Sequence, residues 1–146
     1  MNPNAGRRER FTAFLGVQLC AALVLLGLMV FRTGVWDSAR WAGLLIAVPA
    51  AILLFTARYQ LGRSFSVTPQ ARELVTHGVY SKIRNPIYVF GGLLVLGFLL
   101  TLQRSYLLLI LLVLIPIQIV RAHKEAKVLE AKFGDTYREY RKKTWF

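Results

Sequence analysis

Four apolar blocks that contain no charged side chain dominate this sequence. They cover residues 11–31, 41–57, 87–102 and 106–120, and hydrophobic residues make up 55% of the chain. A helix needs about 20 apolar residues to cross the hydrocarbon core of a bilayer. The first block meets that length, and the shorter blocks reach it with flanking residues or by local adjustment of the bilayer. Together with the mean hydropathy of +0.47, the blocks predict an integral membrane protein built from helices.

The distribution of the basic residues predicts the orientation of the chain in the membrane. Most of the 19 Lys and Arg residues lie in residues 1–10, in the stretch 58–86 and in the tail from residue 121. Four spans would bring all three regions, and both termini, to one side, which the positive-inside rule identifies as cytosolic. Arg32, Arg40 and Arg104 flank the opposite ends of the blocks. Because the charge follows this topology, we attribute it to orientation and to contact with anionic lipids or cofactor, and we predict no nucleic-acid partner.

These patterns predict an all-α, multi-pass integral membrane protein with four transmembrane helices. The last two form a helical hairpin, and a cytosolic amphipathic helical segment follows. The chain is one membrane domain with the first two helices in 1–57, a cytosolic connection in 58–86, the hairpin in 87–120 and the cytosolic tail in 121–146. Asn85 and Pro86 predict the start of the third helix, with the Asn side chain as its cap. Gly134 predicts the end of the fourth helix, and Asp135 is placed to cap a last short helix.

Polar residues capable of chemistry lie in two stretches, 72–88 and 121–140. A hairpin of the last two spans would make these stretches neighbours at the membrane surface. Arg121 and Glu125 are four residues apart, so on a helix they share one face. The sequence has no glycine-rich turn between a strand and a helix and no paired Cys and His residues with zinc-binding spacing, so we predict no metal site.

The order of several motifs resembles the isoprenylcysteine carboxyl methyltransferase family, which shares its carboxyl-terminal pattern with phospholipid methyltransferases. The motifs are Leu-Val-Thr-His-Gly-Val-Tyr at 74–80, Arg-Asn-Pro-Ile-Tyr at 84–88, an Arg and a Glu at 121 and 125, and Phe-Gly-Asp-Thr-Tyr-Arg-Glu-Tyr at 133–140. The resemblance covers roughly residues 61–142. Two positions depart from the family pattern: Asn85 replaces a His, and Ala126 replaces the second Glu of a pair.

The resemblance implies a methyltransferase that takes S-adenosylmethionine from the cytosol and a lipophilic or lipidated acceptor from the bilayer, with carboxyl O-methylation as the expected reaction. Arg121 would bind the acceptor, and Arg121 and Glu125 would act in catalysis. The residues implied to bind the cofactor are Arg72, Glu73, Leu74, Val75, Tyr80, Asn85, Pro86, Ile87, Tyr88 and Glu125.

Three other functions remain open. Methylation of a phospholipid amine would need a base, because an ammonium must lose a proton before it can react, and His123 or Glu125 would serve. An NADPH-dependent enzyme similar to sterol reductases is the second possibility, since those enzymes carry a similar Arg-His-Pro-x-Tyr element. The third is a non-enzymatic membrane scaffold. The sequence does not distinguish the possible acceptors, and it does not determine the oligomeric state.

Overall fold

The computed structural model describes residues 5–62 and 74–146 of the chain. These residues form four α-helices: α1 (Ala5–Phe31), α2 (Ser38–Leu61), α3 (Pro86–Thr101) and α4 (Leu109–Lys143). Two short 3₁₀ turns, Gly78–Ser81 and Ser105–Leu108, precede α3 and α4. The described residues form no β-strand, only one isolated parallel bridge between Ile83 and Trp145. The predicted all-helical class is therefore confirmed.

Two of the described helices are long and apolar enough to cross a membrane. One is Ser38–Leu61, and the other is the continuous helical stretch Ser105–Lys143. The apolar part of α1, Gly16–Phe31, and the whole of α3 are shorter than a full span. The chain thus has the apolar helices expected of a membrane protein, whereas the four-span topology and the side on which each terminus lies stay predictions.

α2 packs along α3 through small residues that let the two backbones touch. A Cβ atom added to Gly43 would lie 2.6 Å from the Gly97 carbonyl oxygen, and one added to Gly97 would lie 2.8 Å from the Cβ atom of Ala47. Close packing of Gly and Ala is a common means of associating helices within lipid, where no hydrophobic force drives them together. The hairpin of α3 and α4 that the sequence predicted stays a prediction, although Tyr88 of α3 and Glu125 of α4 are in contact.

α4 makes less contact with the remaining helices. In its apolar half, side chains such as Leu112 remain 70% exposed, as expected of a helix that faces lipid. Pro116 lies inside this half. Gly134, where the sequence predicted the end of the helix, has a φ of 51° and produces a kink, beyond which α4 continues to Lys143. Asp135 uses its carboxylate to pair with Arg138, at 3.1 Å.

Arg40 connects α1 to α2 and is only 1% exposed. Its Nη2 donates to the carbonyl oxygens of Met29 at 3.1 Å and Val30 at 3.0 Å, both in the last turn of α1. The guanidinium also lies 4.1 Å from the ring centroid of Trp36. The last carbonyls of a helix lack partners within the helix and attract cations. Arg40 therefore acts as a structural cap, a role that the charge pattern did not predict.

The last residues of the chain pair with the segment that leads into α3. The Trp145 N–H donates to the Lys82 carbonyl at 2.8 Å, and the Trp145 carbonyl accepts from the Arg84 N–H at 3.0 Å. The Asn85 N–H donates to the Phe146 carbonyl oxygen at 2.9 Å. These bonds hold the tail against the Arg-Asn-Pro-Ile-Tyr motif, which is the first part of the candidate site.

Candidate functional site

The site begins at the first turn of α3. Pro86 is buried and occupies the first helical turn, where its missing N–H costs nothing. The Asn85 carbonyl accepts the N–H groups of Tyr88 and Val89 at 3.1 and 3.2 Å. The Asn85 side chain makes no capping hydrogen bond, because its φ of −119° and ψ of 56° depart from the usual extended cap conformation. The prediction of a side-chain cap is therefore wrong, although the helix does start at this residue.

Tyr88 and Glu125 join α3 to α4. The Tyr88 hydroxyl donates to Oε1 of Glu125 at 2.9 Å. Arg121 lies one turn before Glu125 on α4, and its guanidinium carbon is 5.9 Å from the centroid of the Tyr88 ring. The structure therefore brings together three residues that the sequence placed in two separate motifs.

Glu125 follows the apolar part of α4, which ends at Val120, and it is half-buried. Burial raises the pKa of the Glu125 carboxyl, because desolvation disfavours the charged form. The hydrogen bond from Tyr88 and the positive charge of Arg121 oppose this rise. Glu125 is thus a carboxylate in a partly desolvated position, held by a phenol and placed next to a guanidinium.

Tyr80 lies in the 3₁₀ turn before α3 and is only 6% exposed. Its backbone carbonyl accepts the Tyr140 hydroxyl at 2.7 Å. The buried hydroxyl of Tyr80 itself finds no hydrogen-bond partner within residues 5–62 and 74–146. Burial raises the pKa of this phenol. Buried polar groups are almost always hydrogen-bonded in folded proteins, which makes the Tyr80 hydroxyl a candidate contact for a polar ligand.

The end of α2 holds this turn in position. The Val79 N–H donates to Oε1 of Gln60 at 2.8 Å. Gly78 has a φ of +60°, and a Cβ atom at that position would overlap the Gln60 side chain. The positive φ therefore favours glycine at residue 78, and a side chain there would also displace the Gln60 carboxamide.

The other residues implied by the resemblance differ in where they lie. Leu74 and Val75 are half-buried in the segment before the turn, and Ile87 is half-buried in the first turn of α3. Arg72 and Glu73 lie outside the described residues. Contacts around the start of α3 join Tyr88 to Glu125, Arg121 to Tyr88, and the Asn85 backbone to Tyr88. These four residues, with the buried Tyr80 and Pro86 in the same segment, form the cluster.

The sequence reasoning gave no role to three residues near this cluster. Arg58 and Gln60 come from the last turn of α2, and Tyr140, quoted in the last motif, reaches Tyr80 from the tail. A signal for Arg58 was present, since an arginine at the end of an apolar helix usually extends toward a polar region. His123, one of the candidate bases, is exposed, and its Nδ1 lies 2.8 Å from the Ile119 carbonyl oxygen of its own helix.

The cluster combines a carboxylate, a guanidinium group, two phenols and a carboxamide at one end of the apolar helices. Such a set suits a ligand that carries both positive and negative groups. Exposed apolar side chains of α4, such as Val120, directly precede Arg121 of this cluster in the chain.

The sequence model of the phospholipid methyltransferase family matches residues 38–136. The match covers α2, α3 and α4 through the kink at Gly134, and it includes all six residues of the cluster but not Tyr140. Neither the curated proteins nor the solved structures compared with the chain gave a match.

Proposed function

Because the chain belongs to the phospholipid methyltransferase family of membrane methyltransferases, we propose that it transfers a methyl group from S-adenosylmethionine to the amine of a phospholipid head group. The observation that carries this choice of acceptor is Glu125, a half-buried carboxylate that accepts a hydrogen bond from Tyr88. Methylation of an amine needs such a group, because the lone pair on nitrogen becomes available only after a proton has left.

The residues of the cluster fit the cofactor. The buried Tyr80 hydroxyl has no partner among the described residues, and the Asn85 carboxamide is not used as a helix cap. Both can hydrogen-bond to polar groups of the adenosine or amino-acid part. When bound, S-adenosylmethionine supplies a methyl carbon on a positively charged sulfur. The acceptor nitrogen forms the new N–C bond as the S–C bond breaks, and the electron pair of that bond stays on sulfur.

Glu125 has two properties of a proton acceptor in this reaction. Burial raises its pKa, which makes its carboxylate a stronger base than an exposed one. Its position next to the apolar part of α4 also suits a head group that enters from lipid. His123 fits the role less well, because it is exposed and its Nδ1 is engaged by the Ile119 carbonyl.

Carboxyl O-methylation, the reaction implied by the first resemblance, is the second candidate. The observation in its favour is Arg121, whose guanidinium lies beside Tyr88 and whose fork of donors suits a carboxylate acceptor. A carboxylate with a pKa near ~4 is already ionised at neutral pH and needs no base. The two reactions therefore differ in whether Glu125 is required after the cofactor has bound.

The experiment uses the purified full-length protein in detergent with methyl-labelled S-adenosylmethionine. Phosphatidylethanolamine and a prenylated cysteine are offered as acceptors in parallel, and binding of S-adenosylhomocysteine is measured by calorimetry with NADPH as control. Label in the phospholipid supports the proposal, and label only in the prenylated cysteine moves the assignment to O-methylation. Binding of NADPH without binding of S-adenosylhomocysteine would favour a reductase, and a folded protein that binds neither would be left as a scaffold.

A further inference from the structure

The last turn of α2 contributes a residue to the cluster that the motifs do not include. Arg58 lies in that turn, and one terminal nitrogen of its guanidinium is fully buried. Ala57 beside it is also buried. The Gly62 N–H donates to the Arg58 carbonyl and closes the helix there. Because Gln60, two residues later, is bonded to the turn that carries Tyr80, the position of Arg58 relative to that turn is set by the fold.

In this region, the buried Tyr80 hydroxyl is the polar group best suited to contact a ligand. The groups that influence its pKa besides burial are Tyr140, Glu125, Arg58 and Tyr88, and only Arg58 favours the ionised phenol. A positive charge therefore acts on a buried hydroxyl that lacks a partner among the described residues. A hydroxyl that donates and a guanidinium that donates can both point at the same acceptor, and a single neutral or negative oxygen would satisfy them together.

A guanidinium has five N–H donors in a fixed planar arrangement. It can therefore keep a contact within the protein and still bind a carboxylate or phosphate oxygen. Both of the molecules in the proposed reaction carry such a group, and both also carry a positive charge for which Glu125 is the complement.

We propose that Arg58 and Tyr80 together form the binding site for the anionic oxygen group of a reactant, with Arg58 donating from α2 and the Tyr80 hydroxyl from the 3₁₀ turn. This inference rests on the proposed function. Two sources of the same chemistry exist, the carboxylate of the cofactor and the phosphate of the lipid head group. Arg58 is then a binding residue on α2, outside the motifs at 74–140 but inside the stretch that the family model matches.

The test compares Arg58→Gln with Arg58→Lys, which keeps the charge, and with Lys82→Gln, which removes an exposed cation close to the same turn. Each protein is titrated with S-adenosylhomocysteine and with 5′-methylthioadenosine, which lacks the amino-acid carboxylate, and the KM for phosphatidylethanolamine is measured. Loss of a charged hydrogen bond corresponds to about 10- to 100-fold in affinity.

If the ligand is the cofactor carboxylate, Arg58→Gln weakens S-adenosylhomocysteine binding by about 10- to 100-fold. It leaves 5′-methylthioadenosine binding unchanged. Arg58→Lys recovers part of the lost affinity. If the ligand is the lipid phosphate, binding of both nucleosides is unchanged and the KM for the lipid rises by a similar factor. Either result supports the proposal. Unchanged values in all three measurements, or equal weakening of the two nucleosides, would overturn it.

Tyr80→Phe provides an independent measurement. Because the hydroxyl has no partner among the described residues, its removal should leave the thermal midpoint of the protein unchanged while weakening the same ligand as Arg58→Gln. A lower thermal midpoint with unaltered ligand binding would assign the hydroxyl to folding instead and overturn its part in the site. If the wild-type protein is folded but neither binds S-adenosylhomocysteine nor transfers a methyl group, the proposed function fails. If it does both and the variants match it, only this inference fails.

Discussion

Arginine residues lie near both ends of α2, and the two ends use them differently. Arg40, in the first turn, is almost completely buried and donates to backbone carbonyls at the end of α1. Arg32 acts in the same way, with its Nη1 donating to the Thr101 carbonyl at the end of α3 at 2.9 Å. At the other end of α2, Arg58 acts on the buried Tyr80 phenol, and Arg121 lies beside Tyr88. Arginine is structural where its partners are helix ends, and it is suited to a ligand where its neighbours are phenols and a carboxylate.

Substitutions at the two ends of α2 should therefore have different effects, on stability at one end and on activity at the other. Few substitutions of Arg40 should be tolerated without loss of folding. Its guanidinium donates to carbonyls at the end of α1 that have no other partner within that helix. Substitutions at the other end of α2 and in the cluster should leave the protein folded but reduce ligand binding or turnover. The following predictions test that difference.

Glu125→Gln should have the largest effect, and it should act on turnover. The change keeps the size of the side chain and the bond from Tyr88 but removes the ability to accept a proton, and a positioned base contributes about 10²–10⁴-fold to a rate. We expect kcat to fall within that range with an unchanged thermal midpoint. His123→Gln is the matched control and should retain activity. An active Glu125→Gln enzyme that methylates phosphatidylethanolamine would contradict the proposed role.

Arg40→Met should act on stability. The substitution retains an unbranched side chain but leaves the carbonyls of Met29 and Val30 without their donors, at a cost of about 3 kcal/mol in the free energy of unfolding. Thermal unfolding monitored by size-exclusion chromatography in detergent measures this loss. S-adenosylhomocysteine affinity per folded molecule should equal that of the wild type. An Arg40→Met variant that is as stable as the wild type but binds S-adenosylhomocysteine more weakly would contradict the structural role of Arg40.

Gly97→Ala should destabilise the contact between α2 and α3 by about 1–3 kcal/mol, because the added methyl group meets the Gly43 carbonyl and Ala47. Gly91→Ala is the matched control on the same helix, since a Cβ atom there meets nothing within 4 Å. The same unfolding assay compares the two variants. Equal stability of both would show that α2 and α3 can separate without cost.

The smallest effect concerns pH. Burial raises the pKa of Glu125 above its ordinary value, so the carboxylate is available above that raised pKa and is lost as the pH falls through it. The acid side of the kcat profile should therefore lie at higher pH than an exposed glutamate would produce. The bond from Tyr88 lowers this pKa, so Tyr88→Phe should move the acid side of the profile to still higher pH. A shift toward lower pH would show that another group controls it.

Local features of the fold were predictable because they depend on neighbouring residues. The apolar blocks indicated helices, Pro86 indicated where α3 begins, and Gly134 indicated the position of the kink in α4, since hydropathy and backbone preference act over a few positions. The cap by the Asn85 side chain was predicted wrongly, because the backbone of Asn85 departs from the extended conformation of a usual cap. The main partner of α3 was not predictable from helix order, because small residues at Gly43 and Gly97 decide which helices approach most closely.

The amino-acid sequence was thus sufficient for the helical class, for the membership of a methyltransferase family and for most residues of the cluster, because the motifs and apolar runs are contiguous. The contacts within the cluster required the folded chain. Tyr88 meets Glu125 across 37 positions and Tyr140 meets Tyr80 across 60, and Gln60, on a helix outside the motifs, accepts the Val79 N–H. Such contacts depend on how helices pack and where the chain turns back, and no local pattern of residues encodes those distances.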